Sequence, residues 1–219
     1  MTELQSKQLE TYSRLLLEWN EKMNLTAITD PEEVKIKHFE DSLLLLEHLD
    51  IKQGASLIDV GTGAGFPGLV LKIARPDLNI TLLDSLNKRL IFLKAVGDEI
   101  GAEVTLLHSR AEDAGNDPNC REAFDYAVSR AVSSLPALCE YCLPLIKKGG
   151  IMAAMKGPNG SEELEGSQGA VKLLGGGEPR CTDYKLQNGD GRSLVTIKKI
   201  SQTPTKYPRK GVKISKNPL

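Results

Sequence analysis

Aromatic residues are scarce, 5% of the 219-residue chain with a single Trp. So few rings limit stacking platforms, which argues against a barrel that holds single strands by stacking bases. The net charge of −1 excludes a general affinity for polyanions, so any nucleic-acid surface has to be a local patch. No apolar run approaches the length of a membrane span. Met1-Thr2-Glu3 lacks the basic start and apolar core of a signal peptide, so no membrane role and a cytoplasmic location are expected. The four cysteines are few and scattered, which suits a reducing compartment. Cys139 and Cys142 have the spacing of a redox or metal half-site, but no second pair completes a zinc site. Two cysteines on neighbouring turns of a packed helix is the better reading, and no metal is expected. There is no internal repeat and no low-complexity tract. What remains is an ordinary globular composition, 40% hydrophobic and 26% charged. The length suits one large domain, or one domain with an extension, and a monomer is expected.

The hydrophobic pattern divides the chain. Leu9, Tyr12, Leu16, Trp19 and Met23 recur at three- and four-residue steps, which predicts an amphipathic helix over 3–22. Asn24-Leu25-Thr26 interrupts it. Asp30-Pro31-Glu32-Glu33 starts a second helix, with Asp30 as cap and Glu33 reaching back as in a capping box, running to about His38. A third covers Ser42 to Leu49, where Leu43 to Leu46 are apolar on nearly every side and should be deeply buried. From Ser56 onward strands and helices alternate. Strands are expected at 56–61, 79–84, 104–108, 124–129 and 151–155, and helices at 68–74, 87–100, 133–146 and 161–174. The stretch 114–120 reads as irregular, and Lys147-Lys148-Gly149-Gly150 as a turn. Gly175-Gly176-Gly177 reads as a flexible break. Two closing strands, 182–187 and 193–200, flank the hairpin signal Asn188-Gly189-Asp190-Gly191. The expected fold is α/β: a doubly wound, mostly parallel, seven-stranded Rossmann-like sheet with an N-terminal helical extension. The expected parts are 1–50, the extension; 51–200, the sheet domain; and 201–219, a basic tail.

The stretch Leu57-Ile58-Asp59-Val60-Gly61-Thr62-Gly63-Ala64-Gly65-Phe66-Pro67-Gly68 organises the rest. A buried strand runs into glycines at alternate positions and then into a helix start, so backbone alone can make a binding site. Glycine admits positive φ and lets a ligand lie against the main chain, and the helix start offers unpaired N–H groups to an anionic group. A dinucleotide fingerprint wants G-x-G-x-x-G. Here the third place is Phe66 and the extra glycine comes one residue early, at Gly65. A plain glycine turn is compatible with this spacing, but G-x-G-x-G resembles the first motif of S-adenosylmethionine (SAM) methyltransferases. The second strand ends in Asp84, about 20 residues on, where a carboxylate can bind both ribose hydroxyls.

The end of the chain differs in character. From Lys198 to Leu219 there is no acid, against Lys198, Lys199, Lys206, Arg209, Lys210, Lys213 and Lys216. Any basic terminus can be a solvated tail. Concentrating positive charge on a slightly acidic chain favours a phosphate-binding arm.

Trp19-Asn20-Glu21-Lys22-Met23-Asn24-Leu25-Thr26, His38-Phe39-Glu40-Asp41-Ser42-Leu43, the glycine stretch, Leu82-Leu83-Asp84-Ser85-Leu86-Asn87-Lys88-Arg89, Ser129-Arg130-Ala131, Met155-Lys156-Gly157 and Tyr207-Pro208-Arg209-Lys210-Gly211 together resemble the glucose-inhibited division protein B family, in order along essentially the whole chain. That bacterial family methylates guanine N7 in small-subunit ribosomal RNA. The resemblance therefore implies SAM as cofactor and small-subunit ribosomal RNA, or a small ribosomal particle, as partner. It implies cofactor contacts at Gly61 and Phe66, at Asp84, Ser85 and Leu86, at Ala111 and Glu112, and at Arg130. In physical terms, Gly61, Gly63 and Gly65 would let the backbone approach the methionine moiety. Phe66 would pack on the ligand, Asp84 take the ribose, and Ala111-Glu112 read adenine beyond the third strand. Arg130 would pair with the methionine carboxylate or guide the RNA. The expected RNA face combines Asn24, His38, Lys88, Arg89, Arg110, Lys156, Arg209 and Lys210.

The fourth strand's end also argues by what it omits. Enzymes that methylate exocyclic amines carry an Asn/Asp-Pro-Pro-aromatic run there, and those that methylate pyrimidine C5 place a nucleophilic cysteine after a proline. Val128-Ser129-Arg130-Ala131 has neither. Guanine N7 offers an in-plane lone pair and no proton, so catalysis would rest on positioning and no general base is named. His38 is the tempting candidate, but tying the helical extension to the core, or touching phosphate, suits it better. A SAM methyltransferase of small molecules and a non-catalytic SAM-binding protein are the alternative readings.

Overall fold

The computed structural model describes residues 1–219. Helix α1 (Glu3–Met23) buries the stripe Leu9, Tyr12 and Leu16. Thr2 caps it reciprocally with Gln5, and Asn24 ends it in the left-handed region at φ 50°. Asp30 caps α2 (Pro31–Val34), accepting from the backbone N–H groups of Glu32 and Glu33. Glu33 does not reach back to close a capping box; its carboxylate takes Lys37 instead, at 2.7 Å. The chain then makes a π-helical turn (Lys35–Glu40) and continues into α3 (Asp41–His48). Of Leu43 to Leu46 only Leu45 is fully buried. The others are half-exposed, because α3 packs through one face and leaves the other open.

The alternation follows as expected: β1 (Ser56–Val60), α4 (Gly68–Ala74), β2 (Asn79–Asp84), α5 (Asn87–Ile100), β3 (Thr105–His108), α6 (Ala111–Asn116), β4 (Phe124–Arg130), α7 (Leu135–Cys142), β5 (Ile146–Lys156), α8 (Gly160–Glu165), α9 (Gln168–Leu173), β6 (Arg180–Lys185), β7 (Gly191–Lys198) and α10 (Gly211–Lys216). One seven-stranded sheet has the order 3-2-1-4-5-7-6, parallel except for β7, which runs antiparallel to both neighbours. Side chains alternate between its two faces. Leu57, Leu82 and Val128 pack with α1, α4 and α5, and Ile58, Leu83 and Ala127 pack with α7 and α9. The N-terminal helices share the first of these cores. Gln5 and Gln8 donate side-chain N–H bonds to the carbonyls of Ile73, Ala74 and Ile100 at the ends of α4 and α5.

Several boundaries differ from expectation for local reasons. Pro144 has no N–H to donate, so the 133–146 helix stops at Cys142 and finishes as a 3-10 turn, Leu143–Leu145. β5 begins at Ile146 and carries Lys147-Lys148-Gly149-Gly150 inside it, with an irregularity in its pairing to β4 between Phe124 and Tyr126. The 161–174 helix is two, broken at Gly166 and Ser167. The stretch read as irregular opens in α6, and the tail folds into α10.

Candidate functional site

β1 is central, and the order of the sheet reverses between it and β4. A crevice opens at such a switch point, beyond the carboxyl ends of the strands. A cleft of about 590 Å³ lies there, within the range of cofactor pockets. Its floor is the glycine loop. Gly61 and Gly63 hold φ of 71° and 60°, values that favour glycine, and both line the cleft. Below the loop, Asp59 Oδ2 accepts from the Thr62 hydroxyl at 2.7 Å and from the Gly68 N–H at 2.9 Å, tying the end of the strand to the start of α4. Gly68 has to be glycine, since a Cβ there would lie 2.5 Å from Leu82 and 2.9 Å from the Asp59 Cβ. Complete burial pushes the Asp59 carboxyl up to about 6, and its Oδ1 has no partner.

Asp84, at the tip of β2, forms the next wall. Its Oδ2 accepts from the Gly63 N–H at 2.9 Å and from Arg89 at 3.2 Å, and its Oδ1 from the Leu86 N–H at 2.8 Å. Beyond β3 the wall is Ser109, Arg110, Ala111 and Glu112, faced by Tyr141 and Ser215. Glu112 is buried, makes no side-chain hydrogen bond, and has its carboxylate against Gly211 of α10. Glycines at positive φ, a restrained carboxylate and an unengaged one are the donor and acceptor set that an amino-acid–ribose–adenine ligand needs. The cleft fits SAM.

At the opposite end, Arg130 projects from the tip of β4. It donates to Asp41 at 2.9 Å and to the Lys37 carbonyl at 3.0 Å, contacts His38 Nδ1 at 3.1 Å, and lies 5.0 Å from the centre of the Phe66 ring. His38 stacks on Phe66 with centroids 4.4 Å apart, and its Nε2 meets Thr26 Oγ at 2.8 Å. Nδ1 also lies 3.2 Å from the Lys37 carbonyl, so both ring nitrogens have partners. Burial, reinforced by the Arg130 charge, lowers the His38 pKa to about 4. The ring is therefore neutral at pH 7 and gains a proton only as pH falls toward 4. The expected NMR titration of its ring protons has a midpoint near 4; a midpoint near 6.5 would mean that the burial and the Arg130 contact are not as described.

Eight of the ten expected cofactor residues line the cleft: Gly61, Gly63, Phe66, Asp84, Ser85, Ala111, Glu112 and Arg130. Gly65 and Leu86 do not. Gly65 backs onto α1, where a Cβ would collide with the Tyr12 hydroxyl and fall 2.7 Å from Leu93, so its bareness serves packing. Leu86 contributes its N–H to Asp84. Of the RNA-face residues, His38, Arg89 and Arg110 line the cleft, and Asn24, Lys88 and Lys210 are exposed. Lys156 and Arg209 are engaged inward instead of facing solvent. Lys156 donates to Glu163 at 2.8 Å and to the Ser133 carbonyl at 2.7 Å. Arg209 grips the fully buried Glu140 carboxylate through its N–H, Nε and Nη2. Cys139 and Cys142 sit in the core on α7, and burial pushes the Cys139 thiol up to about 12. None of the four cysteines lines the cleft.

Sequence reasoning missed Asp41, Tyr12, Tyr141, Val132 and Ser215. Asp41 is buried and is the carboxylate that fixes Arg130, with Tyr184 donating to its other oxygen at 3.1 Å. A polar residue three positions after His38 in a leucine-rich helix was the available signal. No helix is long and apolar enough to cross a membrane.

Comparison with known proteins agrees with this geometry. Residues 5–188 match the family described as rRNA small subunit methyltransferase G. The chain is 54% identical over 217 residues to a ribosomal RNA small subunit methyltransferase G of Alkaliphilus metalliredigens, covering 98% of this chain and 91% of that one. It is 48% identical to the protein of the same name from Lactococcus lactis, covering 100% and 93%. Among solved structures, a predicted O-methyltransferase of Agrobacterium tumefaciens superposes with a TM-score of 0.60 at 18% identity, over 74% of this chain and 81% of that one. A 16S rRNA N2 methyltransferase of Thermus thermophilus, solved with AdoMet and guanosine, gives 0.52 at 16% identity over 73% and 39%. These two likenesses speak to the fold.

Proposed function

This chain belongs to the rRNA small subunit methyltransferase G family, and we propose that its acceptor is the N7 atom of a guanine in 16S ribosomal RNA. It is a SAM-dependent methyltransferase. The observation that carries the choice of N7 is that the end of the cleft beside Arg130, away from Glu112, holds no free base and no cysteine. Both His38 nitrogens are engaged, Nδ1 by Arg130 and the Lys37 carbonyl and Nε2 by Thr26, its pKa of about 4 makes it a weak base, and no cysteine is within the lining. An exocyclic amine would need a proton acceptor; N7 does not.

When bound, SAM supplies a methyl group on a sulfonium centre. The chain's residues then have positioning tasks. Gly61 and Gly63 present main chain to the amino-acid end. Asp84 accepts from the ribose, and Glu112, with the backbone beside it, reads the adenine. Arg130 is clamped by Asp41, so its charge is fixed in place; it orients the methionine carboxylate or an RNA phosphate. Asn24, Lys88, Arg89, Arg110 and Lys210 form the RNA-facing rim, while Lys156 and Arg209 brace it from behind. We take the protein to act as a cytoplasmic monomer, without a metal.

Transfer from methyl-labelled SAM tests this. Label is expected in small-subunit RNA or in small ribosomal particles, with chain scission at one guanine after the reduction and aniline treatment that cleaves at 7-methylguanine. Label in metabolites alone would indicate a small-molecule enzyme, and no label anywhere a binding protein. Label in RNA that resists scission would rule out N7.

A further inference from the structure

Up to Arg209 the acid-free tail is anchored, and it passes close to the cleft. Arg121 bonds the carbonyls of Thr203 and Tyr207 at 2.8 Å each. Asn116 donates to the Pro208 carbonyl at 3.2 Å and to the carbonyl of Glu112 at 2.9 Å, so a single side chain joins the tail to the cleft wall. Arg209 seals against buried Glu140 at 2.6 Å. After this anchor comes α10. Its Ile214 is fully buried, its Gly211 lies so close to the Glu112 carboxylate that a Cβ would overlap it, and its Ser215 lines the cleft. On the outer side, Lys210, Lys213 and Lys216 are exposed and have no acidic partner.

We propose that residues 203–217 form the adenine-side wall of the SAM cleft, and that the lysines on its outer face dock RNA phosphates, so that RNA and SAM bind cooperatively. The inference rests on reading the cleft as the SAM site. Its physics is a shared element. Beyond the Arg209 anchor only Ile214 of α10 is buried, so an RNA that holds α10 against the body removes freedom of the wall that SAM would otherwise have to order, and the coupling is reciprocal. The tail is thus one structure with two ligands, one on each side.

Two full-length variants and the wild type test it by calorimetry with SAM, with and without small-subunit RNA. Wild type should bind SAM alone, and roughly three- to tenfold more tightly with RNA present. Ser215→Trp places a large ring in the cleft from an exposed position. It should raise the SAM Kd at least about tenfold with an unchanged melting temperature. The double variant Lys213→Gln/Lys216→Gln should keep the wild-type SAM Kd without RNA and lose the tightening with it. Ser215→Trp binding SAM within twofold of wild type would overturn the wall, and equal SAM affinity with and without RNA in the wild type would overturn the coupling. Wild type failing to bind SAM at all would instead overturn the reading of the cleft, and this inference with it.

Discussion

Asp84→Ala weakens SAM binding by about 2–4 kcal/mol, a loss of roughly 30- to 1000-fold in affinity, since hydrogen bonds to a charged group contribute about 1.5–3 kcal/mol each. A carboxylate has about four lone-pair sites, and three are already taken, by Gly63, Leu86 and Arg89. One ribose hydroxyl finds the remaining site on Oδ1. The second displaces the Arg89 contact, which at 3.2 Å is the longest of the three. Alanine therefore removes the ribose acceptor and also releases the Gly63 N–H that shapes the loop. Asp84→Asn keeps an acceptor for the Leu86 N–H and should fall between the two. Calorimetry checks both; an alanine variant with wild-type affinity would remove Asp84 from the site.

Arg130→Ala has the largest expected effect on stability. Its guanidinium is 14% exposed and the Asp41 carboxylate 3%. Removing one partner of a buried pair leaves the other charged and uncompensated, at a cost of about 3–5 kcal/mol. Tyr184 still donates to Asp41, and Arg192 lies 3.7 Å away, which holds the loss toward the lower figure. For a chain of this size that corresponds to a drop in Tm of roughly 6–20 °C. The substitution also removes the positive charge that helps lower the His38 pKa, so that pKa should rise from about 4. Arg130→Lys keeps the charge but loses the fork that reaches Asp41, Lys37 and His38 together. Urea unfolding measures the first effect and the His38 ring resonances the second. A loss below about 1 kcal/mol with an unmoved His38 would mean that the cluster is not coupled.

The parts of the molecule that were legible in the sequence are those whose signal is local and periodic. Alternating apolar runs and helical stripes gave the sheet, its two faces and the antiparallel closing strand. That the glycine loop, Asp84 and Glu112 would share one crevice was legible because strand ends in this topology converge there. What escaped depends on partners distant in sequence. Arg209 reads as a free cation until Glu140, 69 residues earlier, is found beside it. The tail reads as an arm until Arg121 and Asn116 are seen holding its carbonyls across 82 to 92 residues. Lys156 was closer to its partner, seven residues from Glu163, but the two face each other only because a strand turns into a helix between them. Gly65 shows the converse error: the motif marked it as ligand-facing, whereas its missing Cβ makes room for Tyr12 on a helix 53 positions away by number. Charge and glycine indicate a capacity, and tertiary neighbours decide how it is used.

A crystal structure of the protein soaked with S-adenosylhomocysteine would show whether this cleft holds the cofactor. The amino-acid end is expected over Gly61 and Gly63, the ribose on Asp84 and the adenine between Ala111-Glu112 and α10, with the open side of the cleft facing Arg130. Product bound outside this cleft, or with its adenine at the Arg130 end, would contradict this placement.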